Sequence, residues 1–254
     1  MAIYCIRAEL YKIMVSLKRN YFRLFDISVW PIILFLAITL FLKFVSPTTE
    51  IMAMAIMGLM GWRAVYHFQI ESNIAYMEDY WGRNLSQQLA SPLTLTNSVV
   101  AGVIAGTFKF AIVLATYIIL AKLMFSFVII DMFKFVLGLG FLAFTGAILG
   151  MITFALVIMY REKVITFAFM IPDLFVLMSG VYYPISIFPG WMVKFVHILP
   201  TFYGFELLKS MVGLGTADYV GMAISGVVWI VIALLFVKYA FRKAKRDGKL
   251  CNFN

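Results

Sequence analysis

Three ionisable residues interrupt long apolar runs of the sequence: Arg63, Lys109 and Asp173. A charge at membrane depth is costly, so such residues usually pair with one another or take part in transport. Lys109 and Asp173 fall at similar positions within their apolar runs, which predicts a similar depth in the membrane. We therefore expect Lys109 or Arg63 to pair with Asp173 inside a helix bundle. Two interpretations stay open, a structural contact between helices and a part of a substrate path.

The residue types that enzymes use for catalysis are scarce in this chain. Its two histidines, His67 and His197, are far apart, and no serine or cysteine nucleophile is placed beside a base. No GxxxxGK(S/T) loop is present, so nothing in the sequence predicts binding of the phosphates of ATP. The two cysteines, Cys5 and Cys251, show no disulfide framework and no metal-ligand spacing. We expect no catalytic site, cofactor or metal in this chain.

The composition is that of an integral membrane protein. Of 254 residues, 64% are hydrophobic and 13% are charged, whereas soluble domains are about half apolar and about a quarter charged. A bilayer accepts this apolar surface directly and requires about 20 apolar residues for each spanning helix. The sequence therefore predicts an all-α fold with six transmembrane helices. These predicted spans are residues 27–45, 51–71, 98–125, 133–160, 164–183 and 219–241.

The distribution of basic residues predicts how these spans are oriented. The formal net charge is +9, and most lysines and arginines fall at the two chain ends or in loops on the same side. By the positive-inside rule, we expect both termini in the cytoplasm and a multi-pass protein of the plasma (inner) membrane. Basic ends beside apolar runs also favour membrane lipids, and not nucleic acid, as the anionic partner.

Residues 1–26 are predicted to form an amphipathic helix on the cytoplasmic surface of the membrane. One side of its helical wheel is apolar, and the other carries Arg7, Lys12, Lys18 and Arg19. Such a helix serves either as a plain topology anchor or as a lever between the surface and the first span. The apolar stripe consists of Ile3, Ile6, Leu10, Ile13, Met14, Leu17 and Tyr21.

A second amphipathic stretch lies between the predicted second and third spans. Asp79 and Arg83 stand four residues apart on its polar face and can pair, whereas Glu78 falls near the apolar stripe. Pro92 ends the predicted helix. A docked protein would explain so apolar a stripe better than solvation would. The stripe consists of Ile74, Met77, Trp81, Leu85 and Leu89.

Between the predicted fifth and sixth spans, residues 179–215 are apolar but are repeatedly interrupted by glycine and proline. The longest uninterrupted piece is too short to cross about 30 Å of hydrocarbon. We expect outer re-entrant helices, whose backbone must be satisfied by protein or by a water-filled path. The alternative is an interfacial loop anchored by its aromatic residues. Glu206 and Lys209 lie inside the segment and favour a functional role.

Two stretches of the sequence resemble the permease subunits of the ABC-2 transporter family, and the resemblance covers nearly the whole chain. The first, 78–85 followed by 91–93, is similar to the family's coupling region. The second, 179–184 and the prolines after it, is similar to the family's fifth span and outer re-entrant helices. The resemblance assigns Glu78, Asp79, Trp81, Arg83, Asn84 and Leu85 to coupling. It assigns Gly180, Tyr182, Tyr183, Pro184, Pro189, Trp191, Pro200 and Glu206 to an outer gate.

The resemblance implies one transmembrane domain over residues 1–254, with the six-span bundle at 27–241 and a basic cytoplasmic tail at 242–254. It also implies a homodimer in which each copy docks a separate ATP-binding-cassette subunit, which binds ATP and Mg. The chain itself would be a transport subunit and not an enzyme. Its substrate would pass between the two permeases, and similar members export lipid-linked polysaccharides, glycolipids, drugs or other amphiphiles.

A gradient-driven secondary transporter or channel with the same spans is the alternative. Secondary transporters often have two similar halves with corresponding broken helices, whereas this chain has one broken region and no visible repeat. A cytosolic helix with an apolar stripe also has no evident purpose in a channel. Copurification of an ATP-binding subunit would separate the two hypotheses.

Overall fold

The computed structural model describes residues 2–45, 48–81, 95–183 and 185–247. Within these ranges the chain forms helices and connecting loops without strands, which confirms the predicted all-α class. 3₁₀ turns occur at Arg161–Val164, Ile185–Ile187 and Ser210–Val212. The described α-helices are α1 Ala2–Arg19, α2 Tyr21–Val45, α3 Thr49–Trp81, α4 Leu95–Phe125, α5 Met132–Tyr160, α6 Ile165–Met178, α7 Gly190–Val196, α8 Pro200–Lys209 and α9 Tyr219–Arg246.

Among the described residues, five helices are long and apolar enough to cross a membrane: α2, α3, α4, α5 and α9. They correspond to the predicted first, second, third, fourth and sixth spans. The predicted fifth span, 164–183, is helical over a shorter stretch than predicted, since α6 has only 14 residues and a length of about 21 Å. Hydrocarbon is about 30 Å thick, so α6 alone does not cross it.

Two other predicted boundaries also differ from the structure. The surface helix predicted over 1–26 ends at Arg19, and α2 begins at Tyr21. The helix predicted to begin near Ile74 is not a separate element over its described part, because α3 continues without a break to Trp81. No glycine or proline stands between Trp62 and Trp81, so nothing in the local sequence interrupts the helix.

Helix α3 lies at the centre of the bundle and packs most extensively against α5 and α4. Helix α3 runs parallel to α5 and antiparallel to α4. The start of α4 and the ends of α3 and α5 therefore lie together, at what we call the terminal end of the bundle. The pairs that define this order are Gly61–Leu142 and Gln69–Thr153 for α5, and Arg63–Tyr117 and Glu71–Lys109 for α4.

The N-terminal helix and the end of α9 also lie at the terminal end. Helix α1 packs on the first turns of α4, where Ile13 clusters with Ala101 and Ala105. The last turns of α9 pack on the end of α5, where Ala244 clusters with Ile158. Both ends of the described chain are thus on one side of the bundle.

Helix α1 uses part of its predicted apolar stripe for contact with protein. Ile13 and Leu17 are buried, and Ile6 and Leu10 pack against the Ala101 cluster on α4. The rest of the stripe is exposed. One part of the stripe therefore contacts protein, and the other part forms an open surface. Its exposed members are Ile3, Met14 and Tyr21.

The short helix α8 is buried among longer helices. It packs against α5, α3 and α9, and eight of its ten residues are buried. Phe205 lies against Gly61 of α3, and Leu142 of α5 lies against Gly204, so both glycines make room for a neighbouring side chain. A helix of ten residues is about 15 Å long and cannot cross a bilayer. Helix α8 is therefore an internal element of the bundle.

The closest backbone approach between α3 and α5 is at Gly146. A Cβ atom built on Gly146 would lie 2.5 Å from the carbonyl oxygen of Val65 and 2.9 Å from its Cα. Backbone atoms cannot rotate away as a side chain can, so any larger residue must push the helices apart. Small residues commonly permit this kind of contact between helices in lipid.

We expect Gly146→Ala to destabilise the protein, because the added methyl group meets the backbone of Val65. The cost should be about 2 kcal/mol, which lowers the melting temperature of the purified protein by about 6 °C. Gly140→Ala is the matched control, since a Cβ there meets nothing within 4 Å. Alanine favours helix by about 1 kcal/mol over glycine, so the control should melt at or above the wild type. Equal losses in both variants would contradict the close contact.

Candidate functional site

A set of polar and charged side chains is buried in the otherwise apolar bundle, and we call it the polar core. Most of it belongs to the terminal-end half of α3, and α4 and α5 supply the rest. Because lipid offers no hydrogen bonds, each of these groups depends on protein partners for satisfaction. Its members are Arg63, His67, Gln69, Glu71 and Asn73 of α3, Lys109 and Tyr117 of α4, and Thr153 of α5.

Lys109 forms an ion pair with Glu71 of α3. The Nζ and Oε1 atoms are 2.5 Å apart, and each side chain is only 5% exposed. The helices come close enough for this pair beside Gly106, where a Cβ would lie 3.2 Å from the carbonyl oxygen of His67. The predicted pairing of Lys109 with Asp173 is therefore wrong. The predicted second span ends at Glu71, whereas α3 continues to Trp81 and Asn73 is still buried.

Asp173 accepts a hydrogen bond from the indole Nε1 of Trp62 at 3.0 Å. The guanidinium of Arg63 lies 4.6 Å from the Trp62 ring and 5.6 Å from the ring of Tyr66, and these rings stack on each other. The Nε atom of Arg63 donates to the hydroxyl of Tyr117 at 3.3 Å. A direct pair between Arg63 and Asp173 is also wrong, since the Trp62 indole connects the two.

A cluster of amide side chains lies on the α5 side of the polar core. The Nδ2 atom of Asn73 donates to Thr153 Oγ1 at 2.7 Å and to the carbonyl oxygen of Gln69 at 2.8 Å. The Nε2 atom of Gln69 also donates to Thr153 Oγ1, at 3.2 Å. These residues were not predicted from the sequence. The four-residue spacing of Gln69 and Asn73 in a membrane-length helix is the signal that would have found them.

Residues 179–215, between α6 and α9, are held together by a second ion pair. The Nζ atom of Lys209 donates to Glu206 Oε1 at 3.0 Å and to the carbonyl oxygen of Gly180 at 2.5 Å. Gly180 has a φ of +62°, a left-handed conformation that glycine adopts without strain. The second oxygen of Glu206 accepts from the backbone of Thr216 at 3.2 Å. The pair therefore joins the turn after α6, the end of α8 and the loop before α9.

The other residues assigned to an outer gate lie along the same segment. Tyr182 is half-buried beside Gly58, and the hydroxyl of Tyr183 donates to the carbonyl oxygen of Leu177. Trp191, on α7, is 65% exposed. Pro189 precedes the first residue of α7, and Pro200 is the first residue of α8. Pro184 lies outside the described residues.

The residues assigned to coupling fall at the end of α3 and beyond it. Glu78, Asp79 and Trp81 belong to the last turns of α3, at the terminal end. Arg83, Asn84 and Leu85 lie outside the described residues, so they stay predictions. Over the described part of the chain, no three His, Cys, Asp or Glu residues are grouped in a way that could hold a metal ion.

A cavity of about 770 Å³ lies at the end of the bundle opposite to the terminal end. It opens between the ends of α2 and α4, the start of α3 and the 3₁₀ turn at Ser210–Val212. Lys43 and Glu50 are its charged residues, and the rest of its wall is mostly apolar. This volume and lining are within the range of small-molecule sites.

Over the described residues, five membrane-length helices around a buried polar core indicate a multi-pass membrane protein. Residues 11–212, from α1 to the 3₁₀ turn after α8, match the model of the ABC-2 type transporter family. The chain belongs to that family, whose domain is the membrane permease of an ABC-type transporter and not its ATPase. The family implies pairing with an ATP-binding-cassette subunit. A comparison with curated proteins found no match.

We expect Lys109→Met to destabilise the protein strongly, because it leaves the buried Glu71 carboxylate without a partner. Breaking such a pair costs about 3–5 kcal/mol, which should appear as loss of monodisperse protein and a lower melting temperature. Lys134→Met is the matched control. Its pair with Asp131 spans 3.7 Å and is partly exposed, so the loss should stay below about 1 kcal/mol. If Lys109→Met and Lys134→Met melt alike, the buried pair is refuted.

Proposed function

We propose that this chain is the permease subunit of an ABC exporter, in which two copies form a path for an amphiphilic or lipid-linked substrate. A separate ATP-binding subunit would bind ATP and Mg and supply the energy. The observation that carries this proposal is the match of residues 11–212 to the ABC-2 type transporter family. The geometry of α3, α1 and α6 and two surfaces of the bundle support it in four further ways.

Helix α3 provides a direct mechanical connection between the coupling residues and the polar core. It runs unbroken for 33 residues, or about 48 Å, and carries both Trp62 and Trp81. A displacement of its last turns by a docked subunit would therefore move the Trp62–Asp173 contact as well. The proposed coupling surface consists of Glu78, Asp79, Trp81, Arg83, Asn84 and Leu85.

We place the terminal end of the bundle in the cytoplasm of a plasma (inner) membrane. Helix α1 supports this orientation, because its open face combines tyrosines with basic residues, as surfaces at lipid headgroups do. That face would contact the anionic inner leaflet, while Ile13 anchors the helix to α4. The exposed residues of this face include Tyr4, Tyr11, Lys18 and Tyr21.

The face of α6 that carries Asp173 suits the seam between two copies. Asp173 is exposed in this single chain, yet its neighbours Met170, Leu174 and Leu177 are exposed apolar residues at membrane depth. A carboxylate facing hydrocarbon is costly, so protein or a water-filled path should cover it. A second copy of this chain would cover Asp173 with protein. A seam between two α6 helices would also place a water-filled substrate path beside Asp173.

Two surfaces along the proposed substrate path support the class of substrate. The stacked rings of Trp62 and Tyr66 stand beside the Asp173 carboxylate and offer aromatic and hydrogen-bonding contacts together. At the other end, the cavity with Lys43 and Glu50 has an apolar wall and two charges. An amphiphile that carries a sugar or another polar group fits both surfaces. The segment between α6 and α9, held by Lys209, would then act as the gate.

We expect the tagged chain to copurify with an ATP-binding subunit when the two are expressed together. ATP hydrolysis should require both subunits, and transport into inside-out vesicles should require ATP. A permease that transports without such a partner and responds to an ion gradient would contradict the proposal.

Replacing Glu78 and Asp79 by alanine should uncouple ATP hydrolysis from transport, because it alters the last turns of α3 where the partner would push. We expect transport to fall by about tenfold with the complex still assembled, equivalent to about 1.4 kcal/mol of lost coupling. Asp247→Ala, at an exposed acidic residue that follows α9 at the same end of the bundle, is the control and should keep wild-type coupling. Normal transport in the double variant would remove residues 78 and 79 from the coupling surface.

The dimer seam can be tested by crosslinking in a variant whose native cysteines are replaced by serine. Leu174→Cys should form a disulfide-linked dimer in membranes, because the two copies of α6 would face each other. Val228→Cys on α9 is the control, since Val228 is 47% exposed and Leu174 is 49% exposed. Equal crosslinking at both positions, or none at Leu174, would place the seam elsewhere.

A further inference from the structure

Arg63 is fully buried but uses only one of its three guanidinium nitrogens in a hydrogen bond. The side chain is 0% exposed, and its Nε atom donates to Tyr117. Among the described residues, neither Nη1 nor Nη2 has a hydrogen-bond partner. The rings of Trp62 and Tyr66 lie against the guanidinium, but their contact leaves the Nη donors unused. A buried cation with free donors is strongly unfavourable unless an acceptor satisfies them.

His67 presents a second buried donor one helical turn away. It is 1% exposed, and neither ring nitrogen has a partner within the described part of the chain. Residues four apart on a helix lie on the same face, so the imidazole and the guanidinium of Arg63 are neighbours. A neutral imidazole has one N–H group to donate. Two adjacent turns of α3 thus direct unsatisfied donors into the interior of the bundle.

The carboxylates around Arg63 do not satisfy its free Nη donors. Glu71 is bonded to Lys109, and Asp173 accepts from the Trp62 indole. Asp26 interacts with Arg63 electrostatically, yet the described residues show no ion pair between them. Lys109 and Glu71 cancel each other's charge, and among the described residues neither Asp26 nor Asp173 accepts a hydrogen bond from the Nη atoms of Arg63.

We propose that Arg63 and His67 hold a small monovalent anion such as chloride. The Nη1 and Nη2 atoms would donate to the anion from one side, and the His67 N–H group from the other. Burial limits the size of the ligand, because residues that are 0% and 1% exposed leave no opening for a lipid headgroup or a sugar. The bound anion satisfies the free donors of Arg63 and stabilises α3 at the level of Trp62. This site does not depend on the transport function proposed above.

The test is the melting temperature of the purified full-length chain in sodium chloride and in sodium gluconate at equal ionic strength. Gluconate is too large for the site, so chloride should raise the melting temperature by about 3 °C. Bromide should act as chloride does. Arg63→Gln removes the charge and most donors, so its melting temperature should be the same in both salts. Lys122→Gln removes an exposed charge on α4 and should keep the full chloride response.

A direct measurement covers the case in which Arg63→Gln does not fold. Wild-type protein in nanodiscs should retain radiolabelled chloride at a stoichiometry near one per chain, and unlabelled chloride but not gluconate should displace it. No retention and no chloride response in the wild type would mean that internal water satisfies Arg63, which overturns the proposal. A chloride response that persists in folded Arg63→Gln would also overturn it.

Discussion

The contact of α3 with α5 at Val65 and Gly146 determines where the neighbouring helices can lie. With backbone atoms this close, α3 is held at the centre, and its polar side chains face α4 and α5 instead of lipid. Dispersion contacts replace the hydrophobic effect as the main force between helices in a bilayer, so one tight glycine contact contributes much to assembly. Lys109 and Glu71 can then meet because α4 approaches the opposite face of the same helix.

The polar core costs free energy in a bilayer, so its presence along one helix needs a reason. Arg63 and Glu71 bond to α4 and Trp62 bonds to α6, which makes the position of α3 sensitive to both neighbours. A helix fixed only by apolar packing could slide among similar arrangements, whereas directional bonds select particular ones. This property suits an element that must adopt defined positions during transport.

The fold was predictable from sequence where length and hydrophobicity decide it. The spans around α4, α5 and α9 follow from apolar runs that match the hydrocarbon thickness, and their ends agree closely with the structure. The partner of Lys109 was not predictable, because periodicity reports which face a residue occupies and not which helix covers that face. The burial of Glu71 inside the bundle was not predictable for a related reason. Hydropathy falls at that position, but the helix and its burial continue.

Helix α8 has a consequence for how the protein is assembled after synthesis. A ten-residue helix is too short to be integrated as a spanning segment, yet it packs between α3, α5 and α9. The long helices must therefore enter the membrane first and leave a slot into which α8 later inserts. Lys209 and Glu206 would neutralise each other as they leave water. The position of α8 thus depends on its contacts with helices that are long enough for the bilayer itself to hold.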